Sequence, residues 1–375
     1  MLRPRVKEEH RPQRFPDGTI WIGGGIYGIA AEVDDPYGLA WAVLRLMDGT
    51  HTPQQIAALV RDAFGAASPG PGAVEATIDA LIASGYVEDA AAGPPPQLTA
   101  RELDRYHRSH AFFRRVDLLP REHGWVGQLA LKHARVVVLG VGGTGSHAAW
   151  ALAASGVGTL HLVDPDRIEL SNLNRQILFT ESDIGRPKAQ VAARRLAEVN
   201  SDIAVTYSVA EVGGQDDVAE LVADCDVLAL CADRPKGPES IRVWVNRACA
   251  AAGVPWVGGG YDGPFVTVGV YTPSAGACYE CLVAGEEKIR RPGLRLDHGG
   301  PGVIAPSAGL SGQLVAYNVI ALITGVSDPV PGALRGLNLV APDEHVFVTH
   351  PPRPDCPVCS GKGRPAPGSG HRAAT

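Results

Sequence analysis

Long apolar runs are missing from this 375-residue chain. No stretch approaches the roughly 18 to 20 uninterrupted apolar residues that cross a bilayer, and the opening MLRPRVKEEHRPQRFPDG holds no apolar segment of the kind a secretory signal needs. Membrane insertion and export are not expected, and a cytoplasmic location follows. Strong charge of either sign is missing too. With 34 Lys and Arg against 40 Asp and Glu, the formal net charge is only −6, which argues against a dedicated nucleic-acid binder. Lysine and arginine are absent altogether between Asp62 and Ala100, so a DNA-reading helix there would lack its phosphate contacts. Cysteine is scarce, seven in all, but its placement is informative. Four form two Cys-x-x-Cys pairs, Cys278/Cys281 and Cys356/Cys359, while Cys225, Cys231 and Cys249 are scattered in apolar surroundings. In a reducing compartment that pattern points to metal rather than disulfides.

A hydrophobic content of 45% over this length allows a large core and two or three domains. The stretch AAGPPPQL, residues 91–98, resists helix and sheet and reads as a semi-rigid spacer. It divides a front module, 1–90, from a larger part, 101–360, through a linker at 91–100, and the tail at 361–375 has so little to bury that disorder is expected. In the front module GTIWIGG and YGIAAEV alternate like a hairpin. Three helical patterns follow, the second capped by Thr52 and Pro53 with Ile56, Leu59, Val60 and Phe64 on one face, the third with Val74, Ile78, Leu81 and Ile82. A short closing strand, YVED, completes a winged-helix-like α+β module. The larger part alternates strands at 135–140, 159–164, 203–209, 226–231 and 254–258 with helices, which predicts an α/β, Rossmann-like, mostly parallel sheet. After Pro264, VTVGVYTP, a helix at 306–324 and GLNLVAPDEHVFVTH predict an antiparallel extension of that sheet.

The stretch VVVLGVGGTGSHAAWALAASGVGTLHLVDPD, 136–166, is a strand, a turn on Gly140, Gly142, Gly143 and Gly145, a helix, a second strand and then Asp164. Such a turn lets the backbone approach a phosphate while the helix points its first amides at it, and an acid at Asp164 can accept from a ribose. By itself this turn serves a dinucleotide in a dehydrogenase as well as ATP in an adenylating enzyme. The next segment, RIELSNLNRQILFTESDIGRPKAQ at 167–190, decides between them. Arg175 and Lys188 can neutralise β- and γ-phosphate charge while Asn172, Asn174 and Gln176 hold the geometry between, as transfer at phosphorus requires. A carboxylate at the carboxyl end of a parallel strand, Asp233 in DVLALCAD, is placed for the same crevice. The two cysteine pairs, 74 residues apart, fit a closed tetrahedral four-cysteine zinc site of structural role.

Together, the glycine turn, Asp164, NLNRQ at 172–176, GRPKAQ around Lys188 and CYEC at 278–281 resemble the ThiF/MoeB/HesA family, relatives of the ubiquitin-activating enzymes. The resemblance covers about residues 102–360. It implies an adenylyltransferase that uses ATP and Mg2+ to activate a carboxylate of a peptide or small carrier protein, releasing pyrophosphate. It further implies that Asp164 holds the ribose, Arg175 and Lys188 the phosphates, and Asp233 the magnesium. RYHR at 105–108 resembles the family's leading helix, which implies a homodimer with Arg108 reaching into the neighbouring active site. Three departures are visible: Arg234-Pro235-Lys236 replaces the usual Asn after the magnesium aspartate, SHAFFRRVDLLPREHGW lengthens the connection after RYHR, and LDHGGPGVI before APSAG has no cysteine. The last favours adenylation without a cysteine-bound intermediate, since Cys225, Cys231 and Cys249 fall on strand and helix interiors. Residues 17–90 resemble PqqD-like peptide-recognition domains, which implies capture of a ribosomally made precursor peptide as an added strand. Three other readings stay open: activation of a ubiquitin-like sulfur carrier, a scaffold delivering the peptide to a separate modifying enzyme, and a front module that only packs or dimerises.

Overall fold

The computed structural model describes residues 1–65, 70, 72–273, 275–292, 302–327 and 329–360. The tail at 361–375 and the LDHGG portion of the cysteine-free stretch lie outside the described residues. The chain divides into two compact units, one of Met1–Ala130 with Thr324–Ser327 and one of Leu131–Ile323 with the remainder from Asp328.

In the first unit β1 (Pro4–Val6), β2 (Gln13–Arg14), β3 (Ile20–Ile22) and β4 (Ala31–Val33) are followed by α1 (Leu39–Leu46), α2 (Pro53–Phe64), α3 (Ala73–Ala83) and β5 (Val87–Asp89). The expected hairpin is β3 with β4, Trp21 opposite Glu32, and β2 adds a third strand on its other side. The closing strand β5 pairs antiparallel with β1. At the start of α2 the Thr52 hydroxyl accepts from the Gln55 N–H, and the Gln55 side chain answers on the Thr52 N–H, with Pro53 behind. Ile56, Ala57 and Val60 bury one face of α2 against Ile20, Ile22, Val43, Val74 and Ile78. Leu59, expected on that face, is 43% exposed. At 100° per residue Ile56, Ala57 and Val60 span a narrow arc, and Leu59 falls 60° outside it.

Beyond the proline segment lie α4 (Ala100–Arg105), α5 (His107–Val116) and α6 (Val126–His133). Through Ala130 these helices group with the front module, so the compact division lies some thirty residues after the spacer. Buried polar contacts explain the grouping. The Lys7 ammonium, 6% exposed, donates to the Asp117 carbonyl at 2.8 Å, and Arg114 bridges Glu9 and Glu88 at 3.3 and 3.0 Å.

In the second unit β6 (Arg135–Leu139), α7 (Gly143–Ala154), β7 (Thr159–Val163), α8 (Lys188–Val199), β8 (Ala204–Ser208), α9 (Gln215–Val222), β9 (Val227–Leu230), α10 (Ile241–Ala252) and β10 (Trp256–Asp262) alternate as expected. Then come β11 (Phe265–Tyr271), α11 (Tyr279–Ile289), α12 (Ala305–Thr324), β12 (Ala333–Asn338) and β13 (His345–Thr349). The sheet order is β13-β12-β11-β10-β9-β6-β7-β8, parallel from β10 to β8 and antiparallel from β10 to β13. The order reverses between β6 and β9, which opens a ligand crevice at their carboxyl ends. Among the described helices α12 alone is long and apolar enough to cross a membrane, but 56% of its apolar window is buried in the fold. Its Ser311 is fully buried and shares a hydrogen bond with Thr144 of α7 at 3.0 Å.

Candidate active site

The crevice is built on the glycine turn. Gly140 has φ +91°, a left-handed conformation, and a Cβ there would stand 2.7 Å from the Ala232 nitrogen. At Gly145 a Cβ would run into the Gly140 carbonyl, so the strand-to-helix turn closes only with hydrogen at both positions. Asp164 clamps the turn from below. Its carboxylate, 5% exposed, accepts from the Val141 N–H at 2.6 Å and the Asp166 N–H at 2.9 Å. Burial pushes its pKa above the ordinary carboxylate value, against the Val141 hydrogen bond and the charge of Lys188. Lys188 is itself buried, its ammonium 2.7 Å from Asp166.

The loop carrying Arg175 folds over the same turn. Arg175 Cδ lies 3.4 Å from the point a Cβ on Gly143 would occupy, and Gln176 Nε2 lies 3.8 Å from the corresponding point on Gly142. The guanidinium Nη1 donates to the Ser171 carbonyl and to Asn174 Oδ1 at 3.0 and 2.9 Å. Arg175 Nε and Gln176 Oε1 are buried with no partner among the described residues. An unpaired donor and acceptor at a bare glycine turn fit a bound polyanion with further polar groups, since such groups are otherwise costly to bury. Asn172 serves its own loop, accepting from the Glu169 N–H at 3.1 Å. His147, which the sequence reading passed over, donates from Nε2 to the Arg175 carbonyl at 3.1 Å and so steadies the loop from α7.

Asp233 follows β9 on the same carboxyl side, 72% exposed and 3.9 Å from the Lys236 ammonium. Arg108 stands exposed on α5 in the first unit. Tyr261, at the end of β10, was also missed; its hydroxyl lies 2.6 Å from the Gly143 Cβ position. Its one sequence signal is the triglycine before it, GGGY at 258–261.

Away from the crevice the four expected thiols converge. Cys278 and Cys356 lie 3.6 Å apart, as do Cys281 and Cys359, and all four sulfurs fall within 4.8 Å of one another. A zinc ion with Zn–S bonds of about 2.3 Å spaces its ligands about 3.8 Å apart, so the donor set could hold zinc. The pairs sit in tight turns: the Cys281 N–H reaches the Cys278 carbonyl, and the Arg353 N–H donates to Cys281 Sγ at 3.3 Å. Burial raises the Cys356 thiol, but donors from Val358 and Cys359 win and bring it to about 7. Burial instead raises Cys278 and pushes Cys359 up to about 11, and the scattered thiols are raised as well. Burial pushes Cys225 up to about 11 and Cys231 up to about 12, and raises Cys249 as well, which keeps them protonated and inert.

A mostly parallel sheet whose order reverses at a crevice, with a glycine turn, a buried acid and an arginine whose Nε is unsatisfied there, defines a nucleotide-binding protein equipped for transfer at phosphorus. Residues 115–358 match the ThiF family. The chain belongs to that family, and it is an adenylyltransferase. It is 36% identical over 236 residues to the sulfur carrier protein ThiS adenylyltransferase of Escherichia coli K12, covering 63% of this chain and 89% of that one. It is 34% identical over 271 residues to the SAMP-activating enzyme E1 of Haloferax volcanii, covering 71% and 92%. Among solved structures, MccB of E. coli superposes with a TM-score of 0.75 at 23% identity over 99% of both chains. The microcin C7 biosynthetic enzyme MccB in complex with N-formylated MccA gives a TM-score of 0.70 at 25% identity, covering 95% of this chain and 99% of that one.

Proposed function

We propose that this chain uses ATP to adenylate a carboxylate of a ribosomally made precursor peptide, in modified-peptide biosynthesis in the cytoplasm. The observation that carries the reading is how much of the chain is matched. The sulfur-carrier relative matches 63% of it in sequence, whereas MccB, solved in complex with N-formylated MccA, covers 95% of it in structure and so extends over the front module. In this reading the front unit is a PqqD-like domain that takes the peptide as an added strand.

In the crevice, Gly140 to Gly145 cradle phosphate with the first amides of α7, and Asp164 accepts from the ribose while holding the Val141 N–H. Arg175, with Nε unpaired, and Lys188, which shares Asp166, neutralise phosphate charge. Asn174 and Gln176 fix the loop between them. Asp233 would hold Mg2+, which when bound offsets charge on the leaving pyrophosphate. Zinc held by the four cysteines would be structural, as four thiolates leave no open position. The reading includes a homodimer in which Arg108 of one protomer completes the other's site.

The test is pyrophosphate exchange. Exchange should depend on the peptide and vanish in Asp233→Ala and Arg175→Ala; exchange that survives both changes sinks the residue assignment. The 36% identity to a sulfur carrier adenylyltransferase supports a second reading, activation of a ubiquitin-like carrier. A carrier ending in Gly-Gly that supports exchange better than any peptide selects it. ATP binding without exchange on either substrate would favour a scaffold that passes the peptide to a separate modifying enzyme.

A further inference from the structure

We propose that Tyr261 is a further catalytic residue, its hydroxyl donating a hydrogen bond to an oxygen of the α-phosphoryl group at the amino end of α7. The strand register places it there. β10 runs parallel to β9 with Gly258 opposite Leu230, the last paired rung. Tyr261 and Asp233 each stand three residues beyond that rung, on the carboxyl side where the crevice opens.

The triglycine draws the strand end inward. A Cβ on Gly259 would collide with Val315 and stand 3.2 Å from Ser311 Oγ and 3.3 Å from Thr144 Cγ2, so α7 and α12 rest on bare backbone. On the other side, Cβ positions at Gly258 and Gly260 would crowd the Arg242 guanidinium at 3.2 and 3.3 Å. Held in this way, the Tyr261 hydroxyl abuts Gly143, the first residue of α7, with Arg175 Cδ on the same spot at 3.4 Å. No protein hydrogen bond holds that hydroxyl among the described residues. A free phenol beside a helix amino terminus and an unpaired guanidinium nitrogen is a donor aimed at a phosphoryl oxygen.

In the step, a carboxylate oxygen attacks the α-phosphorus and forms the acyl C–O–P linkage. The bond from the α-phosphorus to the bridging oxygen breaks, and pyrophosphate leaves with the electron pair. Tyr261 keeps its proton throughout and only strengthens its hydrogen bond as charge gathers. The role rests on adenylyl transfer and is independent of which carboxylate is activated.

The test is therefore run first without an acyl substrate, on the full chain with magnesium and ATP. Tyr261→Phe, which removes one oxygen, should weaken ATP binding roughly three- to tenfold by calorimetry. It should also move the 31P resonance of the α-phosphorus of bound ATP while leaving the β and γ signals in place. An unmoved α signal overturns the contact, whatever happens to affinity. With whichever acyl substrate supports exchange, the same variant should lose at least about tenfold in rate at saturating ATP. A rate within twofold of wild type overturns the catalytic role, whereas a wild-type chain that ignores peptides counts only against the peptide reading.

Discussion

Arg175 earns its place through geometry that charge alone does not supply. Its Nη1 is taken up by Ser171 and Asn174, and its Nε has no partner among the described residues. Replacing it with lysine keeps the charge but removes the fork, so Arg175→Lys should fall nearly as far as Arg175→Ala, about 10² to 10³ in exchange rate. A lysine variant at wild-type rate would show that charge alone suffices. Gly145 carries a constraint of another kind. Any side chain there meets the Gly140 carbonyl, so Gly145→Ala should destabilise the second unit by about 3 kcal/mol or more. The denaturation midpoint reads this directly. At this scale the glycines, Asp164, Arg175 and Gln176 that the sequence singled out meet at one crevice, and the four paired cysteines meet at one cluster. The sequence passed over His147 and Tyr261, because a lone histidine on a helix and a tyrosine after three glycines carry no spacing rule.

Elements set the environment in which those residues act. His110 of α5 stacks on Trp125 with ring centroids 4.0 Å apart, and burial, aided by Arg114, lowers its pKa to about 4. The folded state thus favours the neutral ring. The stability this contributes is present above the ordinary pKa of 6.5 and is lost as pH falls from there toward 4. The loss is at most about 3 kcal/mol and less with solvent screening. His110→Phe keeps the stack and should flatten the fall in melting temperature between pH 6.5 and 4; an unchanged slope assigns it to other groups. The cysteine turns make a second case. They tie the start of α11 to the segment after β13, so native mass spectrometry should find one zinc per chain. Chelation or Cys281→Ser should lower the melting temperature. Both turns were legible from Cys-x-x-Cys spacing, while α11 between them was not anticipated.

For the whole molecule, strand order decides where chemistry can occur. The reversal between β6 and β9 brings the glycine turn, the Arg175 loop and the residues leading to Asp233 to one crevice, although they are spread over about 95 positions. In the front unit, β2 and β4 are the open edges of a three-stranded sheet. If a leader peptide adds a strand, amides of one of these edges should gain protection in hydrogen exchange when peptide is present without ATP. Protection at neither edge removes the leader-binding role and leaves adenylation untouched.

The sequence by itself determined the alternation of strand and helix, the glycine turn and the two Cys-x-x-Cys turns, because each is encoded by neighbours a few residues apart whose spacing follows backbone geometry. Tertiary structure alone decided the grouping of α4, α5 and the start of α6 with the front module. That grouping depends on Lys7 and Arg114 finding carbonyls and carboxylates across long stretches of chain. It alone also set Tyr261 against Gly143, an approach that needed β10, α7 and α12 to meet on glycine backbone. Contacts of that kind follow from how distant segments pack, and no local spacing announces them.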